Sequence, residues 1–248
     1  MEWRDAGIVL GARQHGESSL IVTLLTSAHG RHAGLVKGGM SKAARGLYQP
    51  GNLLTVTWRA RLEDQLGLYA CELAEANAAA LLSHPGRLGA LTAACAVAEA
   101  ALPERQSHPL LFDATVALLA ALRDAPEPGY GAAYVEWEAV LLQDLGFGLD
   151  LSACAVTGST DDLAWVSPKT GRAVSTEGAG PWREKLLALP AFLLGAEEGP
   201  EPDATAIAQG LRLTGWFLDR HALAAQDRRL PPARVRFAQR WTEHIPPS

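Results

Sequence analysis

Five apolar runs of strand length, set within the first 75 or so residues and each closed by turn-forming residues, constrain this chain more than any other feature. "AGIVLGA" passes through "HGES" to "SLIVTLLT", then through "SAHG" to "RHAGLVK". Beyond Gly38 and Gly39 come "NLLTVTWRARL" and, past "EDQLG", "LYACEL". Each run is rich in Val, Ile or Leu and bounded by Gly, Ser or His, the pattern of short strands. In the fourth run Leu54, Val56, Trp58 and Ala60 alternate with Thr55, Thr57, Arg59 and Arg61. That period of two gives the strand one apolar and one polar face and puts Trp58 in the core. Five short strands in one domain-sized segment predict a small closed barrel, of which the OB-fold is the common five-stranded form.

From about residue 78 the texture becomes Ala/Leu-rich. "RLGALTAACAVAEAAL" (87–102) holds seven alanines, the best helix formers. Leu111, Ala114, Leu118 and Leu122 mark one face of a second helix, and Tyr134, Trp137, Leu141 and Leu145 that of a third, with "PEPG" (126–129) between them. "GAEEGPEPD" (195–203) is a loop by composition. Asp203 is placed to cap a last helix bearing Ile207, Leu211, Thr214 and Leu218. Residues 151–181 are polar, with turns at "TGST" and "SPKTG" and too few apolar residues for a core of their own. The expected fold class is α+β: a five-stranded OB-fold barrel over 1–77, then an α-helical domain over 78–248 interrupted at 151–181.

The composition, 48% apolar and 20% charged, is that of an ordinary globular protein. No stretch approaches the roughly 20 apolar residues that span a bilayer, and no export signal opens the chain. Cys71, Cys95 and Cys154 are odd in number and widely spaced, which argues against a disulfide framework and for a reducing compartment. A cytoplasmic location is expected. The formal charge of −5 hides a division: residues 1–61 carry eight Lys/Arg against three Asp/Glu, a net +5, and the remainder nets −10. Local fields, not net charge, govern encounter with a polyanion.

Catalytic patterns fail on inspection. "GARQHGES" (11–18) has the glycine spacing of a phosphate-binding loop, but Glu17 stands where the lysine must be and would repel phosphates. There is no G-x-S-x-G or H-E-x-x-H. His29 and His32 lie three apart in a turn and strand, with no Cys or carboxylate cluster beside them. Glu136 and Glu138 point to different helix faces. No active site, cofactor or metal is expected.

What remains is basic. "GLVKGGMSKAARGLYQPGN" (34–52) holds Lys37, Lys42 and Arg45 and no acidic residue. Paired glycines beside Lys37 would let the main chain approach a phosphate. Arg31, Arg59 and Arg61 add charge on the strands, and Tyr48 offers a ring for a base. OB-folds hold single strands through such cationic grooves and aromatic faces. Near the other end, "DRRLPPARVRFAQRW" carries Arg228, Arg229, Arg234, Arg236 and Arg240 against one aspartate. Arg236 and Arg240 are spaced to share a helix face. A second phosphate-contacting patch fits this cluster, as does a solvated terminal helix.

The order "GIVL…HGE…LLT…HG…GLVKGG…S…QPGN" followed by "WRARL" resembles the amino-terminal domain of the RecO family, mediators of bacterial gap repair. The likeness continues in "LGLYACELAEA" and in "LLQDLGFGLDLSACAVTG", which resembles that family's junction between helix and zinc finger. The resemblance implies an OB-fold, a helical domain and a small zinc-finger-like insertion. It implies a non-enzymatic protein that binds single- and double-stranded DNA and anneals complementary strands. Its partners would be RecR, the carboxyl-terminal tail of SSB and, indirectly, RecA. Zinc-bearing members have C-x-x-C followed by glycine, and a second Cys pair downstream. Here the first pair reads Cys154-Ala155-Val156-Thr157-Gly158, and "SPKTGRAVS" has no Cys. One thiolate cannot build a four-ligand zinc site, so a degenerate finger is expected, its turns kept by Gly158, Pro168 and Gly171. An OB-fold RNA-binding module and a non-catalytic adaptor are the alternatives.

Overall fold

The computed structural model describes residues 1–195 and 201–243. Strands β1 (Glu2–His15), β2 (Ser19–Thr26), β3 (Gly30–Val36), β4 (Leu53–Arg59) and β5 (Leu68–Glu75) close into a barrel in the order β1-β2-β3-β5-β4. Closure depends on β1, which has two partners. Its first half pairs with β4, Glu2 opposite Arg59 through Ile8 opposite Leu53, and from Gly7 onward it pairs with β2. A bulge between Val9 and Gly11 lets it bend. The strand outruns the apolar stretch that announced it because its polar ends are fixed by ladder pairing, not burial. Val9, Val22, Leu24, Leu54, Val56 and Trp58 fill the interior, as the alternation in β4 requires.

Between β3 and β4 lies a helix that the sequence pattern did not show, α1 (Lys42–Leu47). Six residues are too few to display a period. The Ser41 hydroxyl accepts from the Ala44 N–H at 3.3 Å, and the Asn52 amide donates to the carbonyls of Gly46 and Leu47. Ala44, Leu47 and the buried Tyr48 pack onto the barrel core.

After α2 (Asn77–Ala80), helices α3 (Pro85–Ala101) and α4 (Pro109–Asp124) follow. Compact packing divides the chain into Met1–Arg123 and Asp124–Ser248. The division expected at 77/78 follows the change from strand to helix, whereas packing keeps α3 and nearly all of α4 with the barrel. Arg87 donates to the carbonyls of Leu122 and Arg123, and Arg123 reaches back to Glu75 and Asn77.

The second unit holds α5 (Glu127–Asp144), α7 (Ala204–Phe217) and α8 (Pro232–Thr242). Tyr134, Trp137, Leu141, Ile207, Leu211, Thr214 and Leu218 are buried, on the faces their spacing marks. The Asp203 carboxylate caps α7 by accepting from the Ala206 N–H at 2.7 Å. The middle of the loop expected at 195–203 lies outside the described residues. The polar stretch after α5 forms a small sheet of β6 (Leu163–Val166), β7 (Ala173–Ser175) and β8 (Leu187–Ala188), ordered β7-β6-β8, with the one-turn α6 (Thr176–Ala179) after β7. Among the described residues no helix is long and apolar enough to cross a membrane.

Candidate nucleic-acid interface

Lys37 leaves β3 into a turn fixed by the Met40 N–H on the Ser18 carbonyl and the Ser41 N–H on the Gly38 carbonyl. The two glycines of this turn differ. Gly38 is exposed at φ +70°, with open space where a Cβ would stand. Gly39 is buried, and a Cβ there would lie 2.8 Å from Leu20 Cγ. Only Gly38 therefore offers its backbone to a ligand. Lys42 and Arg45, three apart on α1, share an exposed face. Among the described residues, neither they nor Lys37 is paired with a carboxylate.

The other barrel cations divide. Arg61 is exposed and meets no carboxylate among the described residues. Arg59 contacts Glu2 at 2.8 Å, both side chains more than half exposed, a surface pair that solvent weakens. Arg31 is committed to the fold. Its Nε donates to the Leu102 carbonyl at 2.8 Å, its guanidinium lies 3.3 Å from Glu104, and only 13% of the side chain is exposed. It clamps the α3–α4 loop to β3 and has no face for a phosphate. Tyr48 is likewise unsuited to stacking: it is 6% exposed, and burial raises its hydroxyl pKa.

An aromatic cluster, unmarked in the sequence, sits where β1 begins. Trp3 lies parallel to His29 (centroids 4.1 Å, 10°) and nearly parallel to Trp58 (5.6 Å, 20°). His32 meets both tryptophans edge-on. Register brings Trp3 opposite Trp58, a pairing readable only once β1 and β4 are known to be neighbours. His29 and His32 have separate partners: His29 Nδ1 lies 3.1 Å from Asp5, and His32 Nδ1 lies 2.7 Å from the Tyr69 hydroxyl. Burial, aided by Arg105 and His29, pushes the His32 pKa down to about 4.

In the second unit the arginine cluster comes apart. Arg234 is 2% exposed. Its Nε and Nη2 grip Glu138 at 2.6 and 2.8 Å, and Nη2 also donates to the Leu211 carbonyl. Thr214 donates to the same carboxylate. Arg234 joins α8 to α5 and α7, and the expectation that it contacts DNA is corrected by that burial. Arg240 contacts Glu127 at 2.8 Å and is 39% exposed. Arg236 is exposed. Arg228 and Arg229 line a polar pocket of about 530 Å³ with Arg220, whose guanidinium lies 4.1 Å over the Trp216 ring. Arg220 lies outside the basic run and carried no signal in the sequence.

In the segment expected to resemble a zinc finger, Cys154 is held by hydrogen bonds. Cys154 and Thr157 face Ser175 and Gly178, two pairs of the same spacing. The Cys154 sulfur, 2% exposed, accepts from the Thr157 N–H (3.4 Å), the Ser175 N–H (3.2 Å) and the Ser175 hydroxyl (3.3 Å). A Cβ on Gly178 would lie 2.9 Å from that sulfur. Burial alone would push the thiol pKa up; the donors from Ser175 and Thr157 outweigh it and draw it down to about 6. One sulfur, two hydroxyls and a glycine do not make the four-ligand Cys/His set of structural zinc. Among the described residues, no group of three or more His, Cys, Asp or Glu side chains could hold a metal.

The closed five-stranded barrel, followed by helices and a small sheet, places the chain in the OB-like α+β class. Sequence comparison supplies the family. Residues 1–76 match the family profile described as Recombination protein O N terminal, and residues 82–230 that described as Recombination protein O C terminal. The chain is 53% identical over 243 residues to the DNA repair protein RecO of Rhodospirillum rubrum, covering 97% of this chain and 96% of that one. It is 53% identical to that of Rhodospirillum centenum (97% and 95% covered) and 50% to that of Gluconacetobacter diazotrophicus (96% and 94%). The chain belongs to the RecO family of DNA repair and recombination proteins, mediators without catalytic chemistry.

Proposed function

We propose that this protein is a cytoplasmic, nucleoid-associated recombination mediator that binds single- and double-stranded DNA and anneals complementary strands. With RecR it helps load RecA onto SSB-coated DNA. Family membership supports this reading, and one observation carries the DNA contact: Lys37, Lys42 and Arg45 stand exposed on one connection of the barrel, without carboxylate partners among the described residues. Together with Arg61 they neutralise phosphates and release counterions, which lowers repulsion between two backbones and leaves bases free to pair. Arg220, Arg228, Arg229 and Arg236 supply the second phosphate patch in place of the buried Arg234. A groove of about 480 Å³ between α7 and α8, lined by Leu211, Leu230, Val235 and Ala238 and rimmed by Arg212, suits the SSB tail.

The test is competition between single-stranded DNA and RNA of one sequence, run beside an annealing assay. Preference for DNA with accelerated annealing supports the proposal. Preference for RNA makes the protein an RNA-binding module, and absence of both activities leaves an adaptor.

A further inference from the structure

The mouth of the barrel at the start of β1 holds a cavity of about 340 Å³, at the small end of the roughly 300–1,000 Å³ range of ligand sites. Its floor is made of rings: His32 and Trp58 are buried, Trp3 and His29 half-buried. Its rim includes Glu2, Glu63 and Arg105, all exposed. The Arg105 guanidinium donates to the carbonyls of Glu63 and Gln65, which holds the β4–β5 connection in place beside the opening.

We propose that this cavity receives one unstacked base of a single DNA strand whose backbone lies on the barrel's cations. The inference rests on the DNA-binding reading above and adds a site to it. The cavity suits one planar heterocycle, and the floor is aromatic. The His29 ring, 35% exposed, ends the run of parallel rings and leaves surface for a base. Stacking of this kind accepts any base, since every base has a π-face. The rim selects the part of the nucleotide that enters. The Glu63 carboxylate repels a phosphate, Glu2 is balanced by Arg59, and a carboxylate accepts the amino protons of a base edge. Arg59 ends β4 and Arg61 stands on the same connection as Glu63, so a backbone drawn to them brings its bases to the mouth. Burial keeps the His32 ring uncharged, an apolar wall instead of a cation.

The test compares a short oligodeoxynucleotide with an abasic strand of equal length and charge at one salt concentration. Wild-type protein should bind the base-bearing strand about tenfold more tightly, the scale of one base stacked on a side chain. His29→Ala removes the exposed ring, and Ala28→Phe, at an exposed position lining the cavity, fills the space without touching the cations. Both should lose most of the preference and keep the affinity and salt dependence of abasic binding. An equal preference in wild type and both variants, or none in wild type, overturns the inference while leaving DNA binding intact. If wild type binds neither strand, the DNA-binding reading falls and this site with it.

Discussion

His32 in the barrel unit and Arg234 in the helical unit are both basic side chains with no more than 3% of their surface exposed, and the two units handle them in opposite ways. His32 titrates near neutrality in water, so burial strips its proton and the ring enters the core neutral, against the Tyr69 hydroxyl. A guanidinium cannot shed its proton in a protein, so Arg234 is buried charged and needs Glu138, Thr214 and the Leu211 carbonyl around it. At the surface the contrast runs the other way: among the described residues the barrel leaves Lys37, Lys42 and Arg45 without a carboxylate, while the helical unit ties Arg240 to Glu127. Basic residues close together in sequence thus do not define a field. The position of the carboxylates in the fold decides which charges remain available to a ligand.

The comparison is broken most directly at Arg234. Arg234→Ala leaves Glu138 buried without its cation and should destabilise the second unit by about 3–5 kcal/mol, read by denaturant unfolding. A cost of a few tenths would mean that the charge is not buried. In the barrel the matching experiment is pH. The unfolded chain takes up the His32 proton near pH 6.5 and the folded chain only near pH 4. The unfolded state therefore binds more protons in that window, and stability is full above pH 6.5 and declines as pH falls toward 4, by about 3 kcal/mol. His32→Leu should flatten this component at a cost in stability at pH 8. Equal slopes in both proteins would place the titration elsewhere.

At the exposed barrel cations the effect is on binding. Replacing Lys37, Lys42 and Arg45 with Ala should make the salt dependence of log K on single strands shallower by about 2, at about 0.7 per lost contact. Unfolding should shift by less than about 0.5 kcal/mol. An unchanged slope would remove these residues from the interface. The smallest effect belongs to the helical unit's small sheet. With hydrogen bonds from Thr157 and Ser175 satisfying Cys154, a chelator should not move the melting temperature, and elemental analysis should find no stoichiometric zinc. One zinc per chain retained through dialysis would contradict this account of the segment.

What the sequence revealed follows from the range of the forces involved. Alternation in β4, the alanine-rich α3 and the Asp203 cap are local, and the structure repeats them closely. Helix α1 was hidden by its brevity. Arg31 and Arg234 could not be told from exposed cations because their partners, Leu102 and Glu138, lie 71 and 96 residues away in sequence. The ring cluster was hidden for a similar reason, since Trp3 and Trp58 meet only through strand register. The lone cysteine of "CAVTG" was legible, but not its partner Ser175, whose hydroxyl donates to the sulfur from 21 residues away.

The barrel's closure is uneven. β1 and β4 share an extended ladder, but β3 and β5 meet through a single parallel pair, Leu35 with Leu68, backed by the Leu35 N–H on the Gly67 carbonyl at 3.0 Å. Closing the ring hides the strand edges that would otherwise recruit another chain, and this seam is its narrowest fastening. Amide protons along it should exchange with solvent sooner than those of β1, because local opening begins where the fewest hydrogen bonds must break. Lys37 leaves the sheet two residues beyond Leu35, so the grip on a phosphate chain and the weakest stave of the barrel lie side by side. A strand bound there would hold that seam shut, and slowed exchange at Leu35 would record its arrival.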